Sequence, residues 1–177
     1  MGHEEDVYNL LRKPTGRGAS VKNPPALARL EIRYGDLDPY GHVNNAVYLE
    51  FFEKIRICYW RVLADMLGIE KLEAGDVPGA RYVIAETTVR YKSPIFFEDT
   101  LHGAASVGTV GNRSYAMDFE LRTGECFEGG DLVADGSAAQ VFFDPQENAV
   151  QPRPEWFLPA VAELEGRPEA SFSPENR

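Results

Sequence analysis

An α+β fold, with one long buried helix wrapped by a curved antiparallel sheet of five strands, follows from three observations on this sequence. A single helical period runs from Asn45 to about Leu67. One strand-like segment precedes it and four follow. The last three of these are joined by short Gly, Asn and Asp loops, which is the connection of antiparallel hairpins. A helix of that length reaches about 35 Å at 1.5 Å per residue, enough for one sheet to curl around it.

The elements read as follows. Residues 1–26 mix charges, glycines and prolines and form an N-terminal extension, with one helical turn between Val7 and Leu11. Leu27 to Tyr34 alternates, with Leu30, Ile32 and Tyr34 on one face, and is a short strand. A loop rich in turn residues, Asp38-Pro39 and Gly41, leads into the helix. There Leu49, Phe52, Ile55, Tyr59 and Leu63 draw an apolar stripe, widened by Phe51, Ile57, Trp60 and Val62. Asn44 suits the N-cap, Gly68 the stop, and Glu50 stands four residues before Lys54, a favourable helical pair. Residues 70–79 are a polar connection. Strands are expected over Ala80–Ile95, Leu101–Val110, Arg113–Thr123 and Asp131–Phe143. The folded domain is therefore 27–144. Residues 145–177 are a Pro-rich tail with a short helix between Glu155 and Leu164 and disorder after 166.

Composition excludes several classes. Hydrophobic residues make up 44% of the 177 residues, so global disorder is not expected. A net charge of −10 argues against non-specific nucleic-acid binding, which runs on basic patches. No apolar run has the length of a membrane span, and the acidic N-terminus is unlike a signal peptide, so a cytoplasmic location is expected. Cys58 and Cys126 have no zinc spacing and read as two free thiols. His3 and His102 stand apart from any ligand cluster, and no metal site is expected.

The chemistry concentrates between Arg33 and Asn45, where two carboxylates, a histidine and two asparagines precede the helix. A carboxylate at Asp38 is ionised at neutral pH and can act as base or nucleophile. A helix start offers unpaired N–H groups and a positive dipole end to a developing oxyanion. The segment Asp36-Leu-Asp38-Pro-Tyr-Gly41-His42-Val43-Asn44-Asn45-Ala-Val-Tyr48-Leu49-Glu50-Phe-Phe-Glu53-Lys-Ile-Arg56 closely resembles the signature of hotdog-fold thioesterases of the 4-hydroxybenzoyl-CoA thioesterase-like branch. Tyr91-Lys92-Ser93-Pro94 with Glu98-Asp99-Thr100-Leu101, and Gly111-Asn112-Arg113-Ser114-Tyr115, are weaker matches in the right order.

The resemblance spans about residues 27–143. It implies an acyl-CoA thioesterase with neither metal nor redox cofactor, CoA being part of the substrate. It further implies dimers with a continuous sheet, often paired into tetramers, with active sites shared between subunits. Asp38 matches the branch's catalytic aspartate, and the backbone N–H of Asn45 or a neighbour its oxyanion donor. His42-Val43-Asn44-Asn45 replaces the apolar and aromatic residues of some benzoyl-type members, which leaves open both the acyl group and a supporting role for His42 or Asn44.

Gly41 and Asn44 are expected beside the substrate, Tyr48 and Phe52 in an acyl pocket, and Arg113 and Ser114 at the CoA phosphates, with Arg81, Arg90 and Lys92 as further cations. Asp36 reads as structural, and Glu50 and Glu53 as paired surface acids. Three rivals stay open: an acyl-carrier-protein thioesterase, an enoyl hydratase using His42 with Glu53, and a non-catalytic acyl-CoA-binding protein.

Overall fold

The computed structural model describes residues 24–69, 77 and 79–174. The expected helical turn at Val7–Leu11, His3 and most of the connection after the helix lie outside them. The chain runs β1 (Ala26–Leu30), a 3-10 turn (Tyr34–Asp36), α1 (Val47–Met66), β2 (Tyr82–Tyr91), β3 (Leu101–Val110), β4 (Ser114–Thr123) and β5 (Asp131–Asp144). It ends with β6 (Ala149–Val150), α2 (Phe157–Glu165) and a second 3-10 turn (Glu169–Phe172). The sheet order is β1-β3-β4-β5-β2, every pair antiparallel, with the short β6 against β5. One main helix packed on an antiparallel sheet is the α+β layout expected of the chain.

Alternation sets the inner face: Tyr115, Met117, Phe119 and Leu121 of β4 are buried, and their neighbours are not. An extra residue in each of β2, β3 and β5 lets these strands bend around α1. The helix buries Tyr48, Phe51, Phe52, Ile55, Tyr59, Trp60 and Leu63, each apolar side chain contributing about 1.5–3 kcal/mol of burial. Two corrections arise here. Leu49, expected in the stripe, is 47% exposed: it shares a side of α1 with the buried Arg56 and Trp60 but stands in the first turn, ahead of them. Tyr34, expected on one face of β1 with Leu30 and Ile32, lies outside the strand and is exposed, since β1 ends at Leu30 and the chain turns away.

Helix and sheet approach closely because the strands carry no side chain where the helix is bulkiest. A Cβ on Gly136 would stand 2.5 Å from Phe52 Cε2 and 2.2 Å from the Thr88 carbonyl oxygen, and one on Gly103 would stand 2.3 Å from Ile55 Cδ1. Phe52 brings the rim of its ring to Gly136 and stacks on Phe119, with ring centroids 4.7 Å apart.

The tail is folded well past the expected helix. Phe157 packs on Trp60, Tyr115 and Phe142. Phe172, placed in a disordered stretch by the sequence reading, is buried. The turn that carries Phe172 is tied down by Arg167, whose guanidinium lies 4.2 Å from the Phe172 ring centroid and donates to the Ser171 carbonyl.

β1 pairs with β3 only as far as Ala105 and is preceded by two prolines, which have no N–H to extend the ladder. Beyond that point the Glu165 carboxylate accepts the Val107 N–H, and Arg167 Nη1 donates to the Val107 carbonyl at 3.0 Å. A carboxylate and a guanidinium thus stand in for the missing strand. Tyr59 of α1 donates its hydroxyl to the same carboxylate at 3.0 Å. Burial outweighs these hydrogen bonds and the Arg167 charge, and raises the Glu165 carboxyl to about 7.

Candidate active site

The loop from Arg33 to Asn45 is fixed from within. Asp36, buried at 3% exposure, accepts the Arg33 backbone N–H at 2.8 Å and Arg33 Nη2 at 2.8 Å. Burial pushes its carboxyl up, but the Arg33 hydrogen bonds and charge outweigh that and hold it below the usual range. Asp36 is thus committed to holding the turn. Arg33 also reaches Glu50 at 3.2 Å, which corrects the expected Glu50–Lys54 pair: Lys54 instead sits over the Phe51 ring.

Asp38 is held differently. Its backbone N–H donates to the His42 carbonyl at 2.9 Å, and its carbonyl accepts the Gly41 N–H at 3.0 Å. One carboxylate oxygen, Oδ1, accepts the Tyr40 N–H at 2.8 Å, and Oδ2 stands 3.2 Å from His42 Nδ1. Gly41 has φ 85°, and nothing lies within 4 Å of where its Cβ would be. The left-handed turn is therefore its reason, not a close approach. Two bridges, Leu37 to Val43 and His42 to Phe96, tie the loop together and to the β2–β3 connection.

The helix start follows directly. The Asn44 N–H donates to the Asp36 carbonyl at 2.8 Å, and Asn44 Oδ1 accepts the Ala46 N–H at 3.0 Å in a turn ahead of the helix, whose N-cap is Ala46 and not the expected Asn44. Asn45 is held by its carbonyl, which accepts the Tyr91 hydroxyl at 3.1 Å. Its own N–H has no acceptor among the described residues. Asp38, His42, Gly41, Asn44 and Asn45 therefore form one constellation at the N-terminus of α1. Tyr48 lies one turn on, buried, edge-on to Tyr91 with ring centroids 4.9 Å apart. Burial, with the Tyr91 neighbour, pushes its hydroxyl up to about 12.

A family model for the thioesterase-like superfamily matches residues 32–161, which takes in this constellation and the whole sheet after β1. The chain belongs to that superfamily. Among solved structures, this thioesterase-like chain is similar to a thioesterase from Thermus thermophilus crystallised with coenzyme A and zinc. The two are 31% identical over 82% of this chain and 98% of that one, with TM-score 0.67. A 1,4-dihydroxy-2-naphthoyl-CoA thioesterase from Synechocystis is 15% identical, covers 81% of this chain and 98% of that one, and at TM-score 0.62 shares the fold. The long-chain acyl-CoA thioesterase FadM of Escherichia coli K12 is 32% identical over 73 residues, 41% of this chain and 51% of that protein. The match thus spans about half the length of that curated relative.

Other expected site residues of this superfamily member fall elsewhere. Arg113 and Ser114 open β4, whereas the Asp38 loop meets the sheet where Tyr91 faces Ala134 and Ala134 faces Leu121. Seven residues of strand separate Ser114 from Leu121, roughly 23 Å, so one chain does not bring Arg113 and Ser114 to Asp38. Arg90 and Lys92 pair with Asp135 on the outer face. Tyr91 is the one contributor not singled out by the sequence reading. Its signal was its place at the end of a strand in a matched motif, without any hint of its partner 46 positions earlier. Cys58 is buried and Cys126 exposed, both free, and burial raises the Cys58 thiol to about 11. Among the described residues no group of His, Cys, Asp and Glu is arranged to hold a metal ion, and no helix is long and apolar enough to cross a membrane.

Proposed function

We propose that this chain hydrolyses acyl-CoA thioesters to a carboxylic acid and free CoA. The observation that carries the reading is the pairing of a fixed, ionisable carboxylate with a vacant donor. Asp38 accepts the Tyr40 N–H at one oxygen and faces His42 at the other, and among the described residues the Asn45 N–H, two residues before α1, has no acceptor. A thioester carbonyl seated on that N–H gains a donor and the helix dipole as its oxygen becomes an oxyanion. Asp38 Oδ2 takes the proton of the attacking water, or attacks the carbonyl carbon itself and is released by water in a second step. In either case the tetrahedral adduct collapses with loss of the CoA thiolate, which leaves as the thiol. His42, 3.2 Å from Asp38 Oδ2, orients that oxygen.

The same reading needs two copies of the chain. β2 pairs with β5 on one side, and among the described residues its other side carries no strand. Val83, Ile84 and Tyr91 are exposed along it, an edge suited to pairing with itself. Antiparallel β2–β2 pairing sets the Tyr82 end of one protomer beside the Tyr91 end of the other. Tyr82 faces Phe142, and the Phe142 N–H donates to the Arg113 carbonyl. A second copy's Arg113 and Ser114 then lie about three strand spacings away, roughly 15 Å, and serve the CoA phosphates of the first. A dimer of such dimers is the larger assembly proposed.

The test follows thiol release from short, long and aromatic acyl-CoAs with wild type and Asp38→Asn. Turnover that falls at least about 100-fold in the variant, the scale of a lost general base or nucleophile, supports the assignment. Equal turnover in both removes Asp38 from the mechanism.

A further inference from the structure

Arg56 is a buried cation without the acceptors it requires. It is 6% exposed, its Nε has no hydrogen-bond partner, and the nearest anion is Glu53, one turn back, at 3.9 Å. A guanidinium carries five donors and stays charged, and a buried charge is normally matched by a carboxylate or carbonyl in hydrogen-bonding contact. Among the described residues nothing supplies that contact.

Its place in the fold says where the acceptor comes from. Tyr48, Phe52, Arg56 and Trp60 follow each other at four-residue spacing along α1. The first meets Tyr91 and the last stacks on Tyr82, the two ends of β2. Arg56 falls between these two contacts along α1, on the side of the helix toward β2, the strand whose far side carries no strand among the described residues. Leu49 and Glu53, the next residues out on α1, are 47% and, in its side chain, 63% exposed. A donor in need of an acceptor and an exposed carboxylate thus stand three residues apart on the margin facing that edge. Such a pair is self-complementary about a two-fold axis, where each surface meets its own copy.

We propose that Arg56 is an interface residue that donates across the two-fold axis to Glu53 of a second copy of this chain, with Leu49, Val83 and Ile84 packed around the pair. The inference rests on the β2-paired dimer above and assigns the contact that selects it. Two such charge-assisted bonds, one on each side of the axis, fix both partner and register.

The test uses full-length Glu53→Arg and Arg56→Glu, alone and mixed, with association read by sedimentation velocity and native mass spectrometry. Each variant alone sets like charges against each other at both contacts, and the dimer dissociation constant should rise at least about 30-fold. In the mixture, Arg at 53 of one chain meets Glu at 56 of the other, while the second contact is the native one. A heterodimer should therefore form where neither variant self-associates. An ion pair within one chain would gain nothing from mixing. Glu53 is exposed, so Glu53→Arg tests the contact alone if Arg56→Glu does not fold, as judged by circular dichroism. A monomeric wild type, a Glu53→Arg dimer as tight as wild type, or a mixture of folded variants that stays monomeric overturns the proposal. Thiol release by wild type, measured separately, reports on the thioesterase reading: turnover by a wild type whose Glu53→Arg variant forms as tight a dimer overturns this contact alone.

Discussion

The Glu165 cluster makes a pH dependence that can be isolated with one substitution. Its carboxyl, 3% exposed, faces Tyr59 from α1, the Val107 N–H from β3 and Arg167 from its own segment, with Tyr115 beyond Tyr59. Burial raises it from 4.5 to about 7. The folded protein therefore holds this proton more tightly than the unfolded chain does. The group's contribution is most favourable below pH 4.5, declines as pH rises to about 7, and is constant above. At about 1.4 kcal/mol per pH unit the full change is about 3 kcal/mol. Glu165→Gln keeps a neutral acceptor for Val107 and Tyr59 but does not titrate. Urea unfolding of both proteins from pH 5 to 8 should give similar stabilities at pH 5 and a variant more stable by up to about 3 kcal/mol at pH 8. Parallel stability curves would refute the claim that burial dominates at this carboxyl, and would show the Arg167 pair to compensate it fully.

Further outcomes follow from other contacts. Gly136→Ala forces a methyl against the Thr88 carbonyl and the Phe52 ring and should destabilise by at least about 1–3 kcal/mol, read as a lower urea midpoint. Gly103→Ala, whose nearest neighbours are side-chain atoms of Ile55 and Leu30 and not backbone, should be milder and recover in part when combined with Ile55→Val. Tyr91→Phe releases the Asn45 carbonyl and should lower kcat about fivefold, the scale of one hydrogen bond, with melting temperature little changed. Arg33→Ala strips the buried Asp36 of its cation and should reduce stability by about 1–3 kcal/mol at neutral pH. Because Asp36 is held below its ordinary range, wild type should keep that advantage at neutral pH and lose it in acid, as pH falls through the carboxylate range.

Much of the architecture was legible because it rests on local period. β3 runs from Leu101 to Val110 as its alternation and flanking turns indicate, and β4, β5 and α1 differ from expectation by one or two residues at their ends. What escaped the sequence depends on contacts between distant residues. Periodicity cannot say that Tyr48 and not Leu49 faces inward, because adjacent apolar residues share the same helical window. Helical spacing pairs Glu50 with Lys54, yet the folded loop delivers Arg33 from 17 positions away. Gly103 and Gly136 read as weak points of strands until Ile55 and Phe52 are seen to occupy their space. Glu165 looks like one more surface acid at a helix end, and only the fold sets it against Tyr59, 106 positions earlier. In the candidate site the residues between Asp38 and Asn45 were readable as a group because they are nearly contiguous. Arg113 and Ser114 were not, since their distance from Asp38 is a property of strand direction.

The carboxylate and guanidinium that stand beside Val107 have a consequence for aggregation. A sheet that ends in bare backbone on both sides can add strands without limit, as fibrils do. Here one margin is the five residues of β1, followed by a stretch of β3 whose donor and acceptor at Val107 are already occupied by Glu165 and Arg167. The other margin is ten residues of β2. If two copies met along β2 as proposed, the opposite margin among the described residues would offer a further strand only the short β1, beside a position on β3 that is already occupied. The C-terminal segment thereby occupies backbone of β3 that an added strand would otherwise use.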